Sequence, residues 1–385
     1  MFRLFEGCIR CMALFDFDTR ANNNELSETI EWFAPILYEL NLHVFQEVWL
    51  HKIEFFFEHA QKRIPMLNLC QTLLAKESVS PTLLAIVLKF LVDRLPMLGD
   101  YDDHRAAATI RLFKMAFHAV VLFPQLNEPI LAAPLGKLLM DCFPLSTKAA
   151  KPSHYFHLLK VLFRCIGGGG GRFELLYTQL LPLLPEMLEC LNRQLIGTEG
   201  QMKDLIVELC LTVPLRLTNL LPHLAFLMHP LSLALRGGPE VVAQGLRTLE
   251  LCIDNLSPHF LDPTLNGVLR DLMEALHSHL KPLPANHHIS HNAIRILGKL
   301  GGRNRRVLAR EPSLTYIHHS EVAKFPVSFG GESAKIAIGP MAKIACQCLK
   351  KGSPDSTQAY NLIESYISIM LHEASAIFFC YSANR

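Results

Sequence analysis

The chain has 385 residues, half of them hydrophobic and 19% charged, so it can bury a large core and is too apolar for intrinsic disorder. A single core rarely grows past ~250–300 residues, which leaves two domains or an elongated repeat array. The formal net charge of +2 excludes wholesale binding to a nucleic-acid backbone, while leaving room for a local basic patch.

The first segment, Met1 to Phe17, carries Glu6 within its apolar stretch and acids behind it. It lacks the basic, apolar, small-residue order of a secretory leader. Cys8 and Cys11 form a lone C-x-x-C with no second pair nearby, so they are expected on one face of an apolar helix rather than at a zinc ion. The odd count of eleven cysteines, scattered mostly through apolar runs, reads as buried thiols of a reducing compartment.

Helical periodicity dominates from there. Leu84, Val87, Leu88, Leu91 and Leu95 fall at i, i+3, i+4, i+7 and i+11, one continuous helical stripe. Shorter and longer stripes follow at Ile206, Leu209, Cys210, Val213, then at Val242, Leu246, Leu249, Ile253, Leu256, and at Leu265, Val268, Leu269, Leu272, Leu276. Breaks are predicted near Ser80-Pro81, Gly99-Asp100, Asn127–Pro129, Lys151–Ser153, Gly167–Gly171, Gly197, Gly237–Pro239, Ser257-Pro258 and Pro282–Pro284, with Ser80, Asp102, Asn127, Ser153 and Ser257 as N-caps. About a dozen helices joined by short turns, with almost no strand-like alternation, predict an all-α fold: a HEAT-like α-solenoid of antiparallel helix hairpins. The absence of a strict period suits the degenerate HEAT type, whose repeats run ~40–47 residues.

Several stretches invite a sharper reading. Gly167–Gly171 looks like a phosphate loop, but Arg172-Phe173-Glu174 follows where Gly-Lys-Ser/Thr is required, so an inter-helix turn is expected. Leu217–Leu235 is nineteen residues without a formal charge. Asn219, His223, His229, Pro222 and Pro230 lie inside it, so a membrane span is not expected. His277, His279, His287, His288 and His291 cluster, and His287 and His291 stand at i, i+4. They lack the Glu of a zinc-protease signature and read as a solvated helix entrance. No nucleophile elbow, paired-carboxylate or kinase signature is present, so neither catalysis nor a cofactor or metal site is expected.

From Ala275 to Arg310 there is no Asp or Glu. Lys281, Arg295, Lys299, Arg303, Arg305, Arg306 and Arg310 stand there, five of them within Lys299–Arg310. This basic island has two readings. Its arginines bond helix-terminal carbonyls of a neighbouring repeat, or Lys299, Arg303, Arg305, Arg306 and Arg310 form a docking patch for an acidic peptide or nucleic acid. Beyond it, two β-rich runs around Gly330-Gly331 predict a β-hairpin inserted at 314–338. The solenoid is thus expected over 1–313 and again over 339–372, followed by an atypical tail, 373–385, that reads as truncated or mis-spliced.

The run Ile294-Arg295-Ile296-Leu297-Gly298-Lys299-Leu300-Gly301-Gly302-Arg303-Asn304-Arg305 closely resembles a motif of the HEAT region of the transformation/transcription domain-associated family. Ile206–Pro214, Gly245–Leu256 and Lys52–Phe57 look like the same family, in the same order, over about residues 45 to 372. The Gly-rich and Gly-Arg-Asn-Arg-Arg forms look most like its fungal branch. The resemblance implies a fragment of a very large, nuclear, phosphatidylinositol-3-kinase-related pseudokinase. Its helical arms scaffold SAGA and NuA-type histone acetyltransferase complexes and receive transcription activators. Protein subunits of those complexes, and acidic activators, are the partners it implies. Two alternatives stay open: a HEAT scaffold or transport adaptor of another class, or a nucleic-acid-binding module using the 275–310 island.

Overall fold

The computed structural model describes residues 1–14, 20–168, 172–213, 221–280, 287–300, 309–310, 325–329, 332–336, 338–347, 349, 356–364 and 366–367. These form two compact units, Met1–Thr198 with Thr212–Leu215, and Glu199–Leu211 with Arg216–Arg385.

The first unit holds α1 (Phe2–Leu14), α2 (Arg20–Tyr38), α3 (Leu42–Ala60), α4 (Asn68–Leu74), α5 (Ser80–Asp93), α6 (Asp103–Leu122), α7 (Pro124–Lys148), α8 (Ser153–Gly168), α9 (Glu174–Leu180) and α10 (Leu184–Leu195). Most pair with a sequence neighbour, and from α1 to α9 each also packs on a helix two places away. One layer runs α1, α3, α5, α7, α9 and the other α2, α4, α6, α8. That is the antiparallel stacking of a helical-repeat solenoid, in which each hairpin buries its apolar stripe on the next. Leu84, Val87, Leu88, Leu91 and Leu95 are all buried, as their spacing predicts. The N-terminal core is aromatic: the fully buried Trp49 meets Phe5 and Phe56 edge-on at 5.3 and 5.4 Å between ring centroids.

Local chemistry sets the helix starts. Asp102 caps α6, its side chain accepting from the Arg105 N–H at 2.7 Å. Asn127, expected as a cap at a break, does neither job. The chain has already turned at Phe123, and α7 runs from Pro124 through Pro129, Pro134 and Pro144. Asn127 is buried and donates through Nδ2 to Ser80 Oγ (3.1 Å) and Ala119 O (2.8 Å). Ser80 likewise donates to Leu74 O (2.8 Å) rather than capping α5. Among the described residues α7 alone is long and apolar enough to cross a membrane. It packs against α5, α6, α8 and α9 as a core helix.

The start of α8 clamps the 3-10 turn Leu95–Asp100. Tyr155 Oη donates to Leu95 O (3.0 Å) and accepts from the Gly99 N–H (3.3 Å), while His154 Nδ1 donates to Leu98 O (3.1 Å). The approach is so close that a Cβ on Gly99 would lie 2.3 Å from the Ala149 Cβ. Glu128 of α7 accepts from the Leu176 N–H (3.1 Å), satisfying the first turn of α9.

The second unit contains α11 (Gly200–Thr212, less its last residue), α12 (Leu224–Ala234), α13 (Pro239–Asn255), α14 (Pro258–Leu265), α15 (Leu269–Ser278) and α16 (His287–Leu300). The charge-poor stretch weighed as a membrane span begins outside the described residues. Its described part is α12, whose Leu224, Leu227, Met228, Leu231 and Ala234 are buried against α13, α14 and α15. The predicted hairpin is present: β2 (Phe325–Phe329) pairs antiparallel with β3 (Glu332–Ile336), from Phe325↔Ile336 to Phe329↔Glu332. A short third strand, β1 (Ala309–Arg310), adds to the edge of β2. The sheet lies against α15, and α17 (Ile338–Gln347) and a helical segment at 356–364 follow.

The cysteine expectation needs correction. Cys70, Cys142, Cys210 and Cys252 are buried, but Cys11 and Cys346 are exposed. On α1 the buried face is Phe5, Ile9 and Met12. At about 100° per residue Cys11 falls well off that line, while Cys8 sits at its edge.

Candidate interaction surface

The basic island is divided by the structure. Lys299 does not offer its charge to solvent: its Nζ donates to Glu250 Oε1 (2.7 Å) and Asp254 Oδ2 (2.8 Å), and its side chain is 18% exposed. Arg295, one turn earlier on α16, places Nε 2.6 Å from Glu250 Oε1 and donates through Nη2 to Asn292 Oδ1. The two cations therefore lock α16 to α13, whose Glu250 and Asp254 are one helical turn apart. Burial pulls the Lys299 pKa down, but its hydrogen bonds to Asp254 and Glu250 and their charges outweigh that, and the net shift is upward. Arg310 lies in β1, its backbone opposite Val327. Arg303, Arg305 and Arg306 lie outside the described residues.

The described bonds of His277, His279 and His288 go to separate partners. His277 is buried on α15 and donates from Nδ1 to Met273 O (2.7 Å). Burial drives its pKa down to about 4, so it stays neutral, with the Met273 bond opposing weakly. His279 Nε2 lies 2.6 Å from Leu235 O, and His288 Nδ1 lies 3.0 Å from Asn292 Nδ2. His277 and His288 thus bond within their own helices, while His279 reaches from the end of α15 to the end of α12. Gly167 and Gly168 close α8, and Gly169–Gly171 lie outside the described residues.

A second basic surface escaped the sequence reading. A groove of about 720 Å³ runs between α6 and α8, lined by Arg111, Lys114, His118, His157, Lys160 and Arg164 around an apolar floor. It lies opposite the buried face of α6, made by Ala106, Thr109, Leu112, Phe113, Ala116, Phe117 and Val120. Arg111 Nη2 donates to Asn68 Oδ1 of α4 (3.2 Å), steadying one wall. The signal was in the sequence as two basic rows at i, i+3, i+7. They stand 46 residues apart (111 to 157), and only the stacking of α6 on α8 makes them one surface.

Two family models cover nearly all of this architecture. The Tra1 HEAT repeat central region matches residues 1–283, and the Tra1 HEAT repeat ring region matches residues 295–377. The SAGA complex/NuA4 acetyltransferase complex subunit TRA1 of Saccharomyces cerevisiae is 38% identical over 91% of this chain. Tra1 of Schizosaccharomyces pombe is 36% identical over 91%, and the human transformation/transcription domain-associated protein 39% over 90%. Identity therefore does not separate fungal from animal relatives. The chain spans only 9% of the length of the budding-yeast and human relatives and 10% of the fission-yeast one. Two consecutive HEAT-region matches, three relatives above 35% identity and a layered stack of helix hairpins agree: the chain belongs to the Tra1 family, as a stretch of its HEAT-repeat solenoid.

Proposed function

We propose that this chain is a non-catalytic segment of a co-activator scaffold in the nucleus, supporting assembly of histone acetyltransferase complexes and recruitment of activators. The observation that carries the reading is its match to two consecutive HEAT regions of a family whose relatives are named as SAGA and NuA4 acetyltransferase complex subunits. The partition proposed with it is a solenoid over 1–313, the hairpin insertion, and further helical repeats over 339–372. The geometry is consistent with a scaffold: the conspicuous polar side chains of the interior, Asn127, Glu128, Tyr155 and His277, are bonded to backbone of neighbouring turns. Buried polar groups used this way specify packing rather than turnover.

Affinity purification of the tagged chain from nuclear extract tests the proposal. Histone acetyltransferase activity is expected to co-purify. Recovery of the folded chain with no acetyltransferase activity or subunits would overturn it. Nucleic-acid binding through 275–310 is disfavoured because Arg295 and Lys299 are engaged with Glu250 and Asp254.

A further inference from the structure

We propose that the outward stripe of α2 is a docking site for a basic, amphipathic helix of a protein partner. The proposal rests on the scaffold reading and names one class of partner for it. Glu25, Glu28, Trp32, Ile36 and Glu39 fall at i, i+3, i+7, i+11 and i+14. At about 100° per residue each lies within about 40° of the Trp32 line. The Glu39 N–H still donates to Pro35 O (3.0 Å), which keeps Glu39 in helical register just past α2. All five are exposed, and Trp32 shows 79% of its surface and Ile36 49%. The buried face of α2, made by Leu26, Ile30, Phe33, Ala34 and Leu37, points elsewhere. Ser27, Ile30 and Glu31 line a hollow shared with α4. Ile36 stands about half a turn round the helix from Ser27, so the stripe is turned away from α4. At a rise of about 1.5 Å per residue it is about 21 Å long, which matches four turns of a partner helix.

Charge selects the occupant. Glu25, Glu28 and Glu39 form no salt bridge among the described residues, so their charges are open to a partner. A nucleic acid or an anionic bilayer is repelled by three carboxylates. A second copy of the same stripe sets glutamate against glutamate, and a wholly apolar partner desolvates the carboxylates without pairing them. A helix with two apolar residues one turn apart, flanked on the same face by Lys and Arg, answers the stripe at every position. Trp is the residue type most enriched where contacts concentrate binding energy, and its ring offers a face to the stems and cations of Lys and Arg.

The test titrates the full chain with a helical peptide of about eighteen residues, free of Trp and Tyr, with Leu and Ile one turn apart and Lys and Arg on the same face at both ends. The chain has two tryptophans, and Trp49 is fully buried, so a blue shift of the emission on titration reports Trp32. Saturable binding with that shift is expected at low salt, weakening as salt screens it. Trp32→Ala should weaken binding, read by calorimetry, by at least about tenfold. The charge reversal E25K/E28K should do the same, and the milder E25Q/E28Q less. All three positions are solvent-exposed, and far-ultraviolet circular dichroism checks that each variant is folded. If one variant misfolds, the others carry the comparison. A peptide with its Leu and Ile replaced by Ala should lose most of its affinity. No binding of the parent peptide, binding without the shift, unchanged affinity in the folded variants, or equal binding of the Ala peptide overturns the proposal. So does self-association that shields Trp32 without peptide, which would replace the partner by a second copy. Co-purification of acetyltransferase activity is read separately. If it persists while the peptide assay fails, the stripe is refuted and the scaffold stands; if it is absent from the wild-type chain, the scaffold reading itself has failed.

Discussion

Two residues carry consequences out of proportion to their size. Tyr155 spends its hydroxyl on Leu95 O and the Gly99 N–H, and burial raises its pKa, so it remains a neutral donor and acceptor. Tyr155→Phe keeps the ring and strands both backbone groups. It should cost about 1–3 kcal/mol, read as a lower urea midpoint for the first unit; an unchanged midpoint would show that the clamp is idle. His277 acts through pH. Its ordinary pKa is about 6.5 and burial lowers it to about 4 in the fold. Between those values the unfolded chain takes up a proton that the folded chain refuses. Stability is therefore complete above about pH 6.5 and falls as pH drops toward 4, by up to about 3 kcal/mol over the window. His277→Leu should flatten that slope between pH 7.5 and pH 5 in parallel denaturation curves. The same slope in the variant would assign the loss to other groups.

At the scale of elements, α16 joins its neighbours by two different chemistries. One face is ionic, with Arg295 and Lys299 reaching Glu250 and Asp254 of α13. Another is bare backbone: a Cβ on Gly298 would lie 2.1 Å from the carbonyl oxygen of Gln358 in the 356–364 helical segment. Gly298→Ala should therefore cost more than its helix propensity of up to about 1 kcal/mol could return. Thermal unfolding of the second unit reports it, and a stabilised variant would mean that the two segments do not touch. This contact also marks what was legible in advance. The stripes of α5 and α15 could be read because a helix repeats its own face locally, and Leu84, Leu91, Leu272 and Leu276 are buried accordingly. Asn127 misled because its type favours caps, whereas its partner Ser80 lies 47 residues away. The α6–α8 groove stayed hidden for the same reason: stacking across repeats is a long-range fact, with no local periodicity to announce it.

For the whole molecule, the division between units follows a run of weak chain. Ile196 is 81% exposed, and Gly197 and Gly200 adopt φ of +80° and +64°, a region open to glycine and strained for other residues. Limited proteolysis should cut first near Ile196–Gly200 and leave two resistant fragments, since few buried contacts hold such a loop tip. Mass spectrometry of early products decides this, and a first cut inside α6 or α13 would contradict the division. The sequence could suggest the break from Gly197 alone, but not which helices cluster into each unit. That depends on which helices each stripe meets.

The paired Lys299 also has a chemical signature. Amine acylation proceeds through the unprotonated amine, and Lys299 is held protonated between two carboxylates with 18% of its side chain accessible. Lys114 stands exposed on the groove wall. Under a limiting dose of acetic anhydride Lys114 should be modified well before Lys299, with the ratio read from peptide masses. The Lys299 amine would then serve as an internal reference that changes only when α13 and α16 come apart.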